Sequence, residues 1–392
     1  MFPEAWVGDA VALRRDLHRQ PELLFDLPRT TGRIITALED YSVDEIVSGI
    51  GQSGVVAVIR GSRPGPVRAL RADMDALPIR EASGVDHASD VPGRMHACGH
   101  DGHVTMLLLA ARHLAASRDF AGTALLVFQP AEENGGAGAR EMLRDGLAGR
   151  FGLQEIHGLH VMPGLDKGHF ATRVGGIMAS ADVLRIEVSG TGGHAAMPHL
   201  TADPLLIASH IHVALQSILS RNLDPVASAV VSITMITCGE NEDTIAPTAI
   251  MRGTVRTLDE GARDLCERRI TEIAQDQARS FGGQAQVHYL RDYPVTVNAA
   301  GPTARAVAAA RQLGPVDDQT RPMLISEDFG FYCSELPTAF VFLGQGQCPG
   351  LHDPRFDFDD SLLPTGAAYW VGLMQGDDDM PPESLTKPDE HS

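Results

Sequence analysis

The chain is short of positive charge. Its 392 residues carry 32 Lys and Arg against 51 Asp and Glu, a net charge of −19. That balance argues against nucleic acid or an anionic membrane surface as a partner. It also means that a site for an anionic substrate needs local cations, either metal ions or arginines. Cysteine is sparse too. The five residues are odd in number and scattered, which reads as unbridged thiols in a reducing compartment, with the cytoplasm as the expected location. No apolar run reaches the length of a membrane span. The segment Met1 to Val11, with Glu4 and Asp9, has neither the basic nor the apolar region of a signal peptide. No internal repeat is present. The 43% of apolar residues is ordinary for a soluble globular protein, and the length suits two or three domains.

One short stretch concentrates chemistry. Met95 to His103 holds three histidines, a cysteine and an aspartate among two glycines. A loop-like run, Ala82 to Gly93, precedes it, and an apolar run, Val104 to Leu114, follows as a buried helix. A helix start crowded with N, S and O donors is a poor way to build a core and a good way to build a metal site. Cys98 alone would read as a small buried hydrophobe. The metal reading therefore requires further ligands elsewhere.

The flanking sequence offers them at the ends of expected strands. Trp6 to Leu17 has helical spacing, and His18 at its exit reads as structural. Val55 to Arg60 and Val67 to Ala72 read as strands. The second runs into Asp73 and Asp75, which at i and i+2 point the same way. In an α/β sheet the carboxyl end of a strand is a place for function, although two solvated loop acids would look the same. Thr123 to Phe128 is a strand that delivers Glu132 and Glu133. Paired carboxylates there allow one to bind metal while its neighbour takes a proton from water. Gly135 to Leu147 reads as a helix. Glu155 to Val161 reads as a strand carrying His157 and His160, which alternation places on opposite faces.

From Asp182 the pattern changes. Strands are expected over 182–189, 226–237, 249–258 and 284–290, and helices over 204–219 and 260–281. That order, β-α-β-β-α-β, is the ferredoxin-like split unit. Metal-type motifs lie on both sides of it, so it reads as an insertion. The domains expected are a first catalytic part (1–180), the inserted unit (181–293), a second catalytic part (294–375) and a disordered acidic tail (376–392). The insert contains a glycine-rich turn, Gly190 to Gly193, that presents His194. A phosphate loop would need Gly-Lys-Ser/Thr after it, which is missing. A histidine able to steady an oxyanion fits better, and a plain hairpin turn remains open. Arg252 and Arg256 share one face of a strand, where they could bind a carboxylate or simply line a solvated edge. After the insert come a helix over 301–312, a strand over 339–343, a loop ending in His352, and a closing helix over 362–374.

With these motifs in place the chain resembles the M20 metallopeptidases, and most of all their amidohydrolase branch: hippurate hydrolases, N-acyl-amino-acid amidohydrolases and plant auxin-conjugate hydrolases. The resemblance runs from about Leu17 to Met374. It rests on Arg71 to Pro78, His96 to His103, Gln129 to Glu133, Gly158 to Val161, Gly192 to His199, Gly253 to Thr257, Ser326 to Phe329 and His352 to Asp360. It implies an α/β fold, with a zinc-peptidase-like catalytic domain on a twisted mixed sheet, interrupted by an α+β lid that often forms the interface of a homodimer or higher homo-oligomer. It implies two divalent metal ions, Mn, Zn, Co or Ni, with Cys98 bridging, His100 and His160 on one, and Glu133 and His352 on the other. It further implies Glu132 as general base, His194 as a lid histidine reaching an active site, and Asp75 as an acid behind the ligands. Relatives often carry Asn where Thr244 stands. The activity implied is hydrolysis of N-acyl-amino acids, hippurate-like or N-acetyl, to an acid and an amino acid. Alternatives are carboxypeptidase or dipeptidase action on short peptides, a non-catalytic binding or dimerisation module, and a cysteine hydrolase using Cys98. Retention of Glu132 beside the ligands speaks against the binding module.

Overall fold

The computed structural model describes residues 2–376. They divide into two compact units. One takes in the chain up to Ile177, Val297–Arg321 and the chain from Phe331 onward; the other takes in Met178–Thr296 and Pro322–Gly330. The acidic tail expected from residue 376 lies, beyond Gly376, outside the described residues. No described helix is long and apolar enough to cross a membrane.

The larger unit is built on an eight-stranded mixed sheet. Strands β1 (Glu45–Ile50), β2 (Gly54–Arg60), β3 (Arg63–Asp73), β4 (Ala121–Gln129) and β5 (Glu155–Pro163) are joined by Thr338–Gly346, Phe170–Ala171 and Val316–Asp317. The order is β1-β2-β4-β3-β5, then Thr338–Gly346, Phe170–Ala171 and Val316–Asp317. The middle four, β4, β3, β5 and Thr338–Gly346, run parallel. They are buried on both faces over most of their length, β4 and Thr338–Gly346 with largely apolar sequences and β3 and β5 with buried Arg, Asp, Glu and His among the apolar residues. Helix α1 (Glu4–Arg19) and helix Leu363–Gln375 pack against α3 (His100–Ser117), which is buried over nearly its whole length.

This topology places the chemistry. The carboxyl ends of four parallel strands open on one side of the sheet. β4 leads into Glu132 and Glu133, β3 into Asp75, β5 carries His160, and Thr338–Gly346 leads into the loop that ends at His352.

Three features differ from the sequence reading. Helix α2 (Pro28–Asp40) and the edge strand β1 were not expected. Thr30, Ile34 and Leu38, four residues apart, are the buried residues of α2, a helical spacing the sequence reading did not use, and β1 is half exposed with no clean alternation. The helix expected over 135–147 is two short helices, Gly138–Arg144 and Leu147–Phe151, with Gly146 at φ +85° between them.

The smaller unit has the order strand Ala181–Ser189, helix Pro204–Leu215, strands Ala229–Cys238 and Thr248–Thr257, helix Glu260–Ser280, and strand Gln284–Tyr293. The sheet is antiparallel, ordered Ala229–Cys238, Thr248–Thr257, Ala181–Ser189, Gln284–Tyr293. This is the split β-α-β arrangement. Leu184, Ile186 and Val188 face the two helices and form its core with Ile207, Ile211 and Ile270. Pro322–Gly330, which the sequence reading put in the second catalytic part, belongs to this unit. The Ala179 N–H donates to the carbonyls of Met323 and Ile325 and ties the segment in place.

Candidate metal centre

Cys98 and His100 come from one turn. Gly99 between them has φ +86°, and a Cβ there would lie 2.7 Å from Val161 Cγ2. Gly102 sits under the Phe358 ring, 2.3 Å from where a Cβ would be. The glycines let the chain turn and pack closely enough to present Cys98 and His100 in succession at the start of α3.

Glu132 and Glu133 are set by backbone and by Asp75. Ala131 and Asn134 bracket the pair at φ +52° and +55°, a conformation uncommon for residues other than glycine and concentrated at functional sites. Asp75, fully buried, accepts the Glu132 N–H on Oδ1 at 2.9 Å and the Glu133 N–H on Oδ2 at 3.2 Å. Burial, with Glu133 nearby, raises the Asp75 carboxyl above its ordinary value.

The donor atoms of Cys98, Glu133 and His352 lie within 4.8 Å of one another, and so do those of His100, Glu132 and Glu133. His160 joins at Cys98, with Nε2 3.4 Å from Sγ, and His352 Nε2 lies 3.2 Å from Glu133 Oε1. The inner histidines are aimed by main-chain carbonyls. His100 Nδ1–H donates to Asp75 O at 2.8 Å, and His160 Nδ1–H donates to Val161 O at 2.7 Å. Each Nε2 lone pair is thereby turned to the cluster, as ligating histidines require. Among the described residues, His100 Nε2 is buried without a hydrogen-bond partner. Burial without a partner is costly, and a bound cation removes that cost. A thiolate, imidazoles and carboxylates together suit a borderline divalent metal, so these residues fit the ions that the resemblance implies.

The electrostatics agree. Burial, aided by His103 and His100, holds His160 well below its ordinary value and keeps the imidazole neutral. Burial opposes charge on His100, yet Asp73, Asp75 and Glu133 raise it to about 10. The carboxylates around His100 thus favour positive charge at this point of the pocket.

Asp73 and His103 are residues that sequence reasoning left without a role. Asp73, His100, His103 and His160 also converge within 4.8 Å, but both His103 nitrogens are engaged. Nδ1–H donates to Asp73 Oδ1 at 2.6 Å, and Nε2 accepts the Val161 N–H at 3.1 Å. His103 thus fixes the backbone beside His160. The signal for it was the His-x-x-His spacing on α3 opposite the acid at the end of β3.

His157 points away from the cluster. Its Nε2 lies 3.1 Å from Glu155, which also meets Arg68 and Arg305. His18 is held between Asp101 at 2.7 Å and Glu81 at 3.3 Å. His194, Arg252 and Arg256 belong to the smaller unit. His194 is exposed, pairs in register with Thr244, and accepts the Ala196 N–H on Nδ1 at 3.1 Å. Arg252 is exposed, and Arg256, half-buried, donates to Ser326 Oγ at 3.2 Å.

Comparison with known proteins gives a consistent result. Residues 69–376 match peptidase family M20/M25/M40. A hippurate hydrolase of Campylobacter jejuni is 40% identical over 93% of this chain and 96% of its own. Thermostable carboxypeptidase 2 of Saccharolobus solfataricus is 38% identical over 93% of each. Among solved structures, a dinuclear metal binding peptidase of the M20 family from Bacillus subtilis is 34% identical, with a TM-score of 0.85 over 95% of this chain and 98% of that one. Identity at this level across nearly the whole length makes the chain a metal-dependent hydrolase, and it belongs to the amidohydrolase branch of the M20/M25/M40 peptidase family.

Proposed function

We propose that the chain hydrolyses the amide bond of N-acyl-amino acids, hippurate-like or N-acetyl, releasing a carboxylic acid and an amino acid. The observation that carries this reading is Glu132. A buried carboxylate stands beside the convergent donors Cys98, His100, Glu133, His160 and His352, on a backbone held by Asp75. A protein that only bound metal would have no use for a base there.

Cys98, His100, Glu133, His160 and His352 would hold two divalent ions of the Mn, Zn, Co or Ni class. Such ions, when bound, lower the pKa of water and polarise an amide carbonyl. Glu132 takes the proton of the attacking water and passes it to the leaving nitrogen. Asp75 keeps Glu132 and Glu133 in register for that transfer. His194 is the proposed oxyanion donor, and Arg252 and Arg256 are proposed partners for the substrate carboxylate. The His194 role rests on the family resemblance, and the arginine role on their shared face of one strand. A homodimer through the smaller unit rests on the family resemblance, and a cytoplasmic, reducing setting that keeps the Cys98 thiol reduced rests on the scattered, unbridged cysteines. The likeness to a hippurate hydrolase supports acyl-amino acids; the likeness to a carboxypeptidase supports short peptides as the second reading.

The test is a release assay on N-benzoyl, N-acetyl and indoleacetyl amino acids beside dipeptides. Cleavage of the acyl-amino acids at the higher kcat/KM is expected. Cleavage of dipeptides alone would transfer the assignment to peptidase.

A further inference from the structure

We infer that Arg14, on helix α1, is a positioning residue for the metal site: it clamps the Asp357–Asp360 segment to the first turn of α3 and so sets where His352 stands relative to Cys98 and Glu133. The inference rests on the proposed role of His352 as a ligand.

His352 is poorly held by its own surroundings. Its side chain is half exposed, 51%, on a backbone at φ +63°. Its N–H donates to Ala97 O at 2.8 Å. Downstream, Pro354 O accepts the Ala82 N–H at 2.7 Å and Phe356 is fully buried, and the first side chain tied to another element by ion pairs is Asp357, five residues on. There the Arg14 guanidinium, fully buried, makes a dense set of contacts. Nε donates to Asp360 Oδ1 at 2.6 Å, Nη1 and Nη2 donate to Asp357 Oδ1 at 3.1 and 3.0 Å, and Nη2 donates to Phe358 O at 2.8 Å. Nη1 also lies 3.5 Å from Asp101, the residue after His100. One side chain thus ties the segment after His352 to the helix that begins at His100.

The ties continue on either side. His18 Nδ1 meets Asp101 at 2.7 Å, and His87 Nε2 meets Asp357 at 3.1 Å. Gln345, near the end of the strand that leads into the same loop, donates to Asp357 O at 2.8 Å and accepts the Asp359 N–H at 3.2 Å. Phe358, under the guanidinium, covers Gly102. A buried ion network adds little net stability over apolar packing of the same volume. What it adds is directional geometry, because the planar fork can satisfy several acceptors at once only in one arrangement.

The experiment is titration of metal-stripped full-length protein with Co2+, followed by calorimetry and by the thiolate-to-cobalt and d–d absorption bands. The variants are Arg14→Met, the milder Asp357→Asn, and His352→Ala. The wild type is expected to take two ions. Arg14→Met and Asp357→Asn should keep one at wild-type affinity and bind the other about 10–100-fold more weakly, the same ion that His352→Ala loses, at temperatures far below the melting point. If Arg14→Met does not fold, Asp357→Asn carries the test. Wild-type affinity for both ions in the folded variants, with His352→Ala still losing one, overturns the clamp. Equal weakening of both ions also overturns it, because that marks general loosening. If His352→Ala keeps both ions, the ligand assignment itself has failed, and the clamp falls with it.

Discussion

Asp75 Oδ1 accepts the backbone N–H of Glu132 at 2.9 Å, so a buried acid at the end of one strand fixes the carboxylate at the end of its neighbour. The other oxygen does the same for Glu133. Asp75→Asn replaces one acceptor by a donor facing an N–H. We expect kcat to fall about 10–100-fold, as for other residues that orient a metal site from behind, with KM changing little. Steady-state kinetics at saturating metal checks this.

Glu132→Gln keeps the shape of the side chain and removes the base. Metal uptake should match the wild type while kcat falls by about two to four orders of magnitude. Metal analysis and turnover on one sample decide it, and full activity with metal bound would remove Glu132 from the base role.

The two histidines of β5 should separate cleanly. His160 Nε2 lies 3.4 Å from Cys98 Sγ, whereas His157 is paired with Glu155 on the other face. His160→Ala should lose metal affinity. His157→Ala should retain metal and kcat but melt lower, by about 1–3 kcal/mol of stability for a buried hydrogen-bonded group. Thermal melts of the metal-free proteins beside metal titrations distinguish the two.

Glu155 offers a pH test away from the metal site. Burial opposes its charge, but His157 and Arg305 lower the carboxyl to about 2 from an ordinary 4.5. The folded state therefore holds this proton less tightly than the unfolded chain. The stabilisation is complete above about pH 4.5 and is lost as pH falls toward 2, on the order of 3 kcal/mol in all. The gap in urea midpoint between wild type and Glu155→Gln should be wide at pH 6 and narrower at pH 3. A constant gap would contradict the assignment.

How much of this was legible in the sequence depends on what each residue's role required. The inner strands were readable because short apolar runs such as 124–128 and 339–343 are bounded by turn residues, even where Arg71 or His157 interrupts the pattern in β3 and β5. The opposite facing of His157 and His160 follows from strand alternation alone. Helix α2 was missed although Thr30, Ile34 and Leu38 recur at helical spacing, because a threonine and only two large apolar side chains make up its buried stripe. The convergence of Glu133 with His352 has no local signal: it is a product of sheet order, which places β4 and Thr338–Gly346 with their carboxyl ends on one side. Arg14 was equally hidden. Its hydrogen-bond partners lie more than 340 residues away, and nothing in the local sequence tells Arg14 from Arg15 beside it, which is exposed.

The most direct measurement is hydrolysis of N-benzoylglycine by the full chain, stripped with chelator and then resupplied with Mn or Zn. The account requires activity to vanish on stripping, return with metal, and fail to return in the Cys98→Ala and His100→Ala variants. Hydrolysis that survives stripping, or that returns undiminished in those variants, would contradict it.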